Sequence, residues 1–165
     1  MSATLERLAR VIAPATRLVV LGSFPGVASL RAGEYYGHAR NQFWPILAAL
    51  WGVDLLALPY RQRLDAILAR GVGLWDVYAG CRREGSLDSA IEAAQLNDLA
   101  SLVRLAPRLQ AVAHNGAESA RSMKHTQALG VAVLRLPSTS PANASWSFAK
   151  KLAAWRAAFE QVGVA

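Results

Sequence analysis

Residues 34–44, with the sequence EYYGHARNQFW, concentrate side chains that could do chemistry. Tyr35 and Tyr36 supply flat rings on which a planar ligand can stack. His38 can exchange a proton, and the amide of Asn41 can both donate and accept hydrogen bonds. The stretch can therefore hold a planar ligand by stacking and by hydrogen bonds.

Four apolar runs predict the elements that position these side chains. They end in polar or glycine-bearing tips and span 17–23, 72–80, 109–116 and 131–138. Nearly unbroken apolarity at strand length is typical of strands covered on both faces. Helical patterns alternate with the runs, so we predict an α/β fold, a three-layer α/β/α sandwich around a four-stranded parallel sheet. Its functional loops should leave the carboxyl ends of the strands, where every unusual cluster of the sequence lies.

Helices are predicted before, between and after these strands. Alternating charged and apolar residues predict an amphipathic helix at the N-terminus, and periodic apolar patterns predict the others: 1–17, 41–50, 60–70, 97–103, 117–128 and 145 onward. Gly71 should stop the third of these, and Asn97 should cap the fourth. Several apolar side chains are predicted to face the core: Phe43, Trp44, Leu99, Leu102, Val103, Phe148, Leu152, Trp155 and Phe159.

Length and composition narrow the class of protein. The chain has 165 residues, which suits one domain over 1–165, and no apolar run reaches the length of a membrane span. A net charge of +7, carried by fifteen Arg and three Lys, favours a polyanionic partner, although a GC-rich genome would also raise the Arg content. The single Cys81 excludes a disulfide framework, and the three histidines lack the spacing of a zinc site. We therefore expect an intracellular, cytoplasmic protein without metal or cofactor.

Four motifs in order carry a family resemblance. They are GSFPG (22–26), YYGHARNQFW (35–44), GLWDVYAGCRREGSLDSAI (73–91) and LPSTSPAN (136–143). Together they resemble the uracil-DNA glycosylase superfamily, and most closely its hypoxanthine-DNA glycosylase branch. The resemblance runs from about residue 17 to residue 160.

The resemblance implies a DNA repair enzyme. It would flip a deaminated base, hypoxanthine first and xanthine second, out of double-stranded DNA and hydrolyse its N-glycosidic bond to leave an abasic site. The enzyme would be a nucleoid-associated monomer. Lyase chemistry needs an amine nucleophile, but Lys124, Lys150 and Lys151 fall on predicted helices away from the first motif, so we predict a monofunctional glycosylase.

Three alternatives remain open at this stage. The first is a mismatch-specific uracil or thymine glycosylase, since the scaffold is shared. The second is a catalytically inactive DNA-binding relative, because Phe24 stands where many members carry a water-holding Asp or Asn. The third is a small nucleotide-binding protein unrelated to DNA.

The resemblance also assigns catalytic roles. Asn41 would orient the attacking water, although its position before a helix also suits an N-cap. His38 would act at the leaving group or only fix its loop. The branch usually reads His-Pro-Arg-Asn here, whereas this chain has Ala39 in place of the proline.

Base and DNA contacts complete the predicted site. Base-binding residues would be Ser23, Phe24, Tyr36 and Asp76, and DNA-binding residues would be Pro25, Gly26, Ser138, Ser140, Ala142 and Asn143. As a carboxylate, Asp76 would accept the N1–H of hypoxanthine and repel the bare N1 of adenine. The alternative for Asp76 is a solvated loop carboxylate or one paired with Arg82 or Arg83.

Overall fold

The computed structural model describes residues 4–165. Its strands are β1 (Thr4–Glu6), β2 (Leu18–Gly22), β3 (Val72–Asp76), β4 (Tyr78–Arg82), β5 (Glu92–Leu96), β6 (Ala111–Asn115) and β7 (Ala132–Leu136). Its helices are α1 (Val27–Ala32), α2 (Phe43–Trp51), α3 (Tyr60–Ala69), α4 (Leu102–Leu105), α5 (Ala117–Ala120), α6 (Met123–Gln127) and α7 (Phe148–Val162). Short 3-10 turns lie at Leu55–Ala57, Asp88–Ala90 and Leu99–Ser101.

The central sheet is parallel and has the strand order β3-β2-β6-β7. Alternate residues of β2 point to opposite faces, as the period of a strand requires. Leu18 and Val20 pack in a core that includes residues of α2, α3 and α7, while Val19 and Leu21 pack in a second core with residues of α4. Both faces are therefore covered, and the predicted three-layer α/β/α sandwich is confirmed.

The predicted N-terminal helix is wrong over the described part of its range, and residues 1–3 lie outside the described residues. Strand β1 pairs antiparallel with β4, and Val11 exchanges two backbone hydrogen bonds of 2.8 Å with Leu74. An edge strand such as β3 has unpaired backbone groups, and the N-terminal segment satisfies them. Tertiary hydrogen bonds thus override the amphipathic pattern.

The run 72–80 is not one strand. It divides at Val77, whose N–H bonds to Gly22 and whose carbonyl accepts from Asn97. Beyond this point the chain enters a second, antiparallel sheet of order β1-β4-β5, which the sequence patterns did not predict. Residues of β5 are exposed throughout, so that strand carries no apolar signature.

Other helix predictions need smaller corrections. Asn97 does not cap the next helix, because its side-chain amide donates to the backbone carbonyl of Asp76 at 2.8 Å. The predicted helix 117–128 consists of α5 and α6, separated by a turn. Val103 and Phe148 are exposed, whereas the other predicted core side chains are buried or half-buried. Within residues 4–165 no helix has the length and apolarity needed to cross a bilayer.

Gly73 permits the close approach of the N-terminal segment to β3. A Cβ at this position would lie 2.7 Å from the backbone oxygen of Val11 and 3.2 Å from Cγ2 of Thr16. We expect Gly73→Ala to lower the free energy of unfolding by roughly 1–3 kcal/mol, measured by urea denaturation. Ala157→Ser, which also adds one atom but on the exposed side of α7, is the control. Equal stabilities of the two variants would contradict this prediction.

Candidate active site

A groove of about 1370 Å³ opens at the carboxyl ends of the parallel strands. Its lining includes every residue predicted for the site: Ser23, Phe24, Pro25, Gly26, Tyr36, His38, Asn41, Asp76, Ser138, Ser140, Ala142 and Asn143. Parallel strands end at the same edge of a sheet, so residues more than a hundred positions apart meet here. The individual roles of these residues stay predictions.

The carboxyl group of Asp76 lies at the floor of the groove, beside Gly22 of the neighbouring strand. A Cβ on Gly22 would lie 2.5 Å from Oδ1 of Asp76 and 3.3 Å from the hydroxyl of Tyr36. Only glycine leaves room for this arrangement. Oδ2 of Asp76 is buried and has no hydrogen-bond partner in the described part of the chain. The predicted alternative, an arginine-paired or solvated Asp76, is therefore wrong.

Burial and, to a smaller extent, the nearby charge of Asp88 raise the pKa of Asp76 to about 7. The positive charge of Arg83 opposes this shift without forming an ion pair with Asp76. A carboxyl group in this state is present in both protonation forms near neutral pH. Such a buried, unpaired acid in a groove is typical of a functional site.

Tyr36 lies above the floor in a fixed orientation. Its ring stacks on Phe43, with the centroids 4.1 Å apart and the planes inclined by 23°. Its backbone has a φ of +56°, which is uncommon for a bulky residue and is found mostly where the surrounding structure holds it. Burial and the charge of Asp76 raise the pKa of its phenol, so the group is neutral. Tyr35, by contrast, is buried and donates to the carbonyl of Ala9 at 3.0 Å, which fits a supporting role.

The loop before α2 holds both predicted catalytic residues. Oδ1 of Asn41 accepts a hydrogen bond of 2.9 Å from the N–H of Phe43, so the residue does stabilise the start of the helix. A second lone pair of Oδ1 and the Nδ2 group remain for a ligand or a water. Nδ1 of His38 accepts from the N–H of Arg40 at 3.0 Å, which fixes the loop and leaves Nε2 as the protonated nitrogen.

Asn115 connects the loop that carries Tyr36 with the loop after β7, and the sequence analysis did not identify it. Its Nδ2 donates to Thr139 Oγ1 at 3.1 Å and to the hydroxyl of Tyr36 at 3.3 Å, while its Oδ1 accepts from the N–H of Thr139 at 3.1 Å. The carbonyl of Thr139 in turn accepts from the N–H of Gln42, next to Asn41. The only signal in the sequence is the position of this amide at the end of the apolar run 109–116. Its neighbour His114 is buried between two hydroxyls, and burial lowers the pKa of His114 to about 4.

The turn after β2 is tied to the segment that follows β4. Ser23 donates to Asp88 at 2.6 Å, and Arg83 donates to the carbonyl of Pro25. The guanidinium of Arg83 also lies 5.6 Å from the ring centre of Phe24. Arg83 and Asp88 were not predicted as site residues, because their role depends on the unexpected second sheet.

The loop after β7 is closed by its own side chains. The hydroxyl oxygens of Ser138 and Ser140 accept from backbone N–H groups two residues ahead, and Asn143 donates to the carbonyl of Ser138. Both hydroxyl hydrogens therefore remain free to donate to a phosphate. Around the groove lie three arginines and two exposed apolar side chains: Arg40, Arg121, Arg135, Leu87 and Trp146.

Asp76 should make stability depend on pH. Its folded pKa exceeds the unfolded value, so the ionised group destabilises the folded state increasingly as pH rises towards 7 and fully above it. Each pKa unit is worth about 1.4 kcal/mol, so this penalty is roughly 4 kcal/mol. We expect Asp76→Asn to be more stable than the wild type at pH 8, by about 1–3 kcal/mol once the cost of a buried amide is deducted. Urea denaturation at pH 8 and near pH 4 tests this, and a difference that is the same at both values would contradict it.

Comparisons with known proteins agree with this architecture. The family model of the uracil DNA glycosylase superfamily matches residues 9–162. A hypoxanthine DNA glycosylase of Methanosarcina barkeri is 36% identical over 151 residues, which cover 92% of this chain and 95% of that protein. A hypoxanthine DNA glycosylase of Methanosarcina acetivorans is 33% identical over 144 residues, which cover 87% and 90%.

A solved structure shows the same fold. It is the solution NMR structure of a candidate uracil DNA glycosylase from Methanosarcina acetivorans, with a TM-score of 0.88, 30% sequence identity and coverage of 98% of this chain and 99% of that one. The family match spans nearly the whole chain, so the resemblance seen in the four motifs is confirmed. The chain belongs to the uracil DNA glycosylase superfamily.

Proposed function

We propose that the protein is a monofunctional DNA glycosylase that removes deaminated purines, hypoxanthine first and xanthine second, and leaves an abasic site. The observation that carries this proposal is the buried, unpartnered carboxyl group of Asp76 at the floor of a groove that also holds Tyr36 and Asn41. The two relatives named hypoxanthine DNA glycosylase support the choice of base.

Recognition begins with extrusion of the nucleotide, since its glycosidic bond is inaccessible inside a duplex. The flipped base would stack at Tyr36, whose ring is held in place by Phe43 beneath it. A base–aromatic stack contributes about 1–3 kcal/mol. At the floor, the carboxylate of Asp76 would accept the N1–H of hypoxanthine and would repel the lone pair on N1 of adenine.

The loop before α2 would supply the side chains that assist hydrolysis. Asn41 would orient a water molecule towards C1′ of the sugar through the hydrogen-bonding capacity that its contact with Phe43 leaves unused. As the bond to the base breaks, negative charge builds on the purine, and the Nε2–H of His38 would donate towards it. Among the described residues, no lysine lines the groove, which supports hydrolysis without a Schiff base.

DNA would be held by the two loops that flank the groove. The hydroxyls of Ser138 and Ser140 would donate to backbone phosphates, with the backbone of Pro25 and Gly26 close to the strand on the other side. Ala142 and Asn143 would fill the gap left by the flipped base. We expect the protein to act as a monomer on nucleoid DNA in the cytoplasm.

Asn41→Ser separates water orientation from helix capping. Serine can still accept from the N–H of Phe43, so the free energy of unfolding should stay near that of the wild type, whereas Asn41→Ala should lose about 1 kcal/mol. Both variants should release hypoxanthine at least about 100-fold more slowly, because the water loses its guide. The measurement is single-turnover release of base from duplexes that each carry one hypoxanthine, xanthine or uracil.

The same panel decides between two of the open alternatives. Wild-type release of uracil but not of hypoxanthine would favour the mismatch-specific glycosylase. DNA binding without release of any base would favour an inactive relative. Undiminished release by Asn41→Ser would remove Asn41 from the mechanism.

Arg135 provides a test of whether DNA binds along the groove. It is exposed on β7 and lines the groove, so it is placed to contact a phosphate. Arg135→Gln should reduce the slope of log Kd against log salt concentration by about one, through the loss of one phosphate contact. Arg61→Gln, an exposed position of α3, is the control, and an equal slope in both variants would contradict this path.

A further inference from the structure

The surroundings of Asp76 are unusual for a buried acid. The residue is only 4% exposed, its Oδ2 has no hydrogen-bond partner in the described part of the chain, and its Oδ1 packs against the backbone of Gly22. The neighbouring amide, Asn115, is engaged with Thr139 and Tyr36 instead. The Asp76 side chain therefore keeps its hydrogen-bonding capacity for whatever enters the groove.

The charged and titratable groups that face Asp76 come from three segments. The loop after α1 brings Tyr35 and Tyr36, whose phenols stay neutral because burial raises the pKa of both. The 3-10 turn at Asp88–Ala90 brings the carboxyl group of Asp88, and the residue after β4 is Arg83. Asp88 accepts from Ser23 and lies 4.0 Å from Arg83, so its charge is held in place. Since the pKa of Asp76 is about 7, Asp76 changes its charge near neutral pH.

The two forms of the carboxyl group suit different bases. The ionised form has acceptors only, so it can accept the N1–H of hypoxanthine but repels a purine whose N1 carries a lone pair. The neutral form has one donor and one acceptor. Its O–H can donate to a bare N1, as in adenine or unsubstituted purine, while its carbonyl oxygen can still accept an N–H.

We propose that protonation of Asp76 gives the protein a second activity, the release of purines whose N1 is a hydrogen-bond acceptor, which the ionised form rejects. The inference rests on the proposed glycosylase function and deepens it. The reaction is the same hydrolysis: the water oxygen bonds to C1′, the bond between C1′ and N9 breaks, and its electron pair leaves with the purine. One proton of the water ends on the free base, so the products are an abasic site and a neutral purine.

The test compares two lesions over a range of pH. Duplexes carry either deoxyinosine or deoxynebularine, whose unsubstituted purine has a bare N1 and no 6-substituent. The single-turnover rate for purine, divided by that for hypoxanthine, should fall at least tenfold in the wild type between about pH 6 and pH 8.5. Because the ratio cancels effects common to both substrates, it isolates recognition of the base edge.

Three variants sharpen the test. Asp76→Asn, which has a donor and an acceptor at every pH, should give a high ratio that does not change with pH. Asp88→Asn keeps an acceptor for Ser23 but removes a negative charge near Asp76, so the midpoint of the fall should move to lower pH. Asp65→Asn, at an exposed position of α3, should leave the wild-type profile unchanged.

The outcomes are distinct. A wild-type ratio that is flat with pH, or a pH-dependent ratio in Asp76→Asn, would overturn the inference while hypoxanthine release still supported the proposed function. A wild type that releases neither base from any duplex would overturn both.

Discussion

The close approach of two strand tips sets the character of this site. Gly22 and Asp76 are register partners on adjacent parallel strands, and the absence of a side chain on Gly22 lets the carboxyl group of Asp76 lie against the backbone. The group is thereby buried at the bottom of the groove without an ion-pair partner. Burial of an unpaired acid is unfavourable for the fold, so the residue shifts towards its neutral form, and its free hydrogen-bonding capacity is directed at the space above it. A larger residue at position 22 would displace the carboxyl group of Asp76 and so remove both its burial and its orientation towards the groove.

Rigidity of the groove depends on a chain of hydrogen bonds that links the end of β6, the loop after β7 and the segment between α1 and α2. Asn115 holds the phenol of Tyr36 on one side and Thr139 on the other, and Thr139 holds the backbone of Gln42. Tyr36 is further fixed by its stack on Phe43. The loop that carries Asn41 is therefore anchored to the loop after β7 as well as to its own helix. Such support from surrounding side chains is what holds a reactive geometry in place before the ligand arrives.

The small antiparallel sheet has a direct bearing on the site. It places Arg83 and the following segment against the turn after β2. There Arg83 contacts Pro25 and Phe24, and Asp88 accepts a hydrogen bond from the hydroxyl of Ser23. The side chains of Arg83 and Asp88, which carry opposite charges, thus fix the turn after β2 through hydrogen bonds. The carboxylate also acts on Asp76 through space, so the second sheet influences the acid–base behaviour of the first.

The sequence by itself determined the parallel sheet, the position of its tips and the set of side chains at them, because buried parallel strands have a continuous apolar signature and their carboxyl ends must meet. The motifs also sufficed for the family. Only the tertiary structure decided which of these side chains have no hydrogen-bond partner within the protein and can bind a ligand. The N-terminal segment pairs with an edge strand instead of forming a helix, and the run after β3 changes sheets at Val77, since backbone hydrogen bonds to distant strands outweigh local periodicity there. The side-chain hydrogen-bond partners of Asn115, Arg83 and Asp88 lie 24 or more positions away along the chain, beyond any local pattern. Such partners decide whether a polar side chain has its hydrogen bonds made within the protein or remains available to a ligand. The sequence therefore identified Asp76 as a candidate but could not show that Oδ2 of its carboxyl group has no hydrogen-bond partner among the described residues.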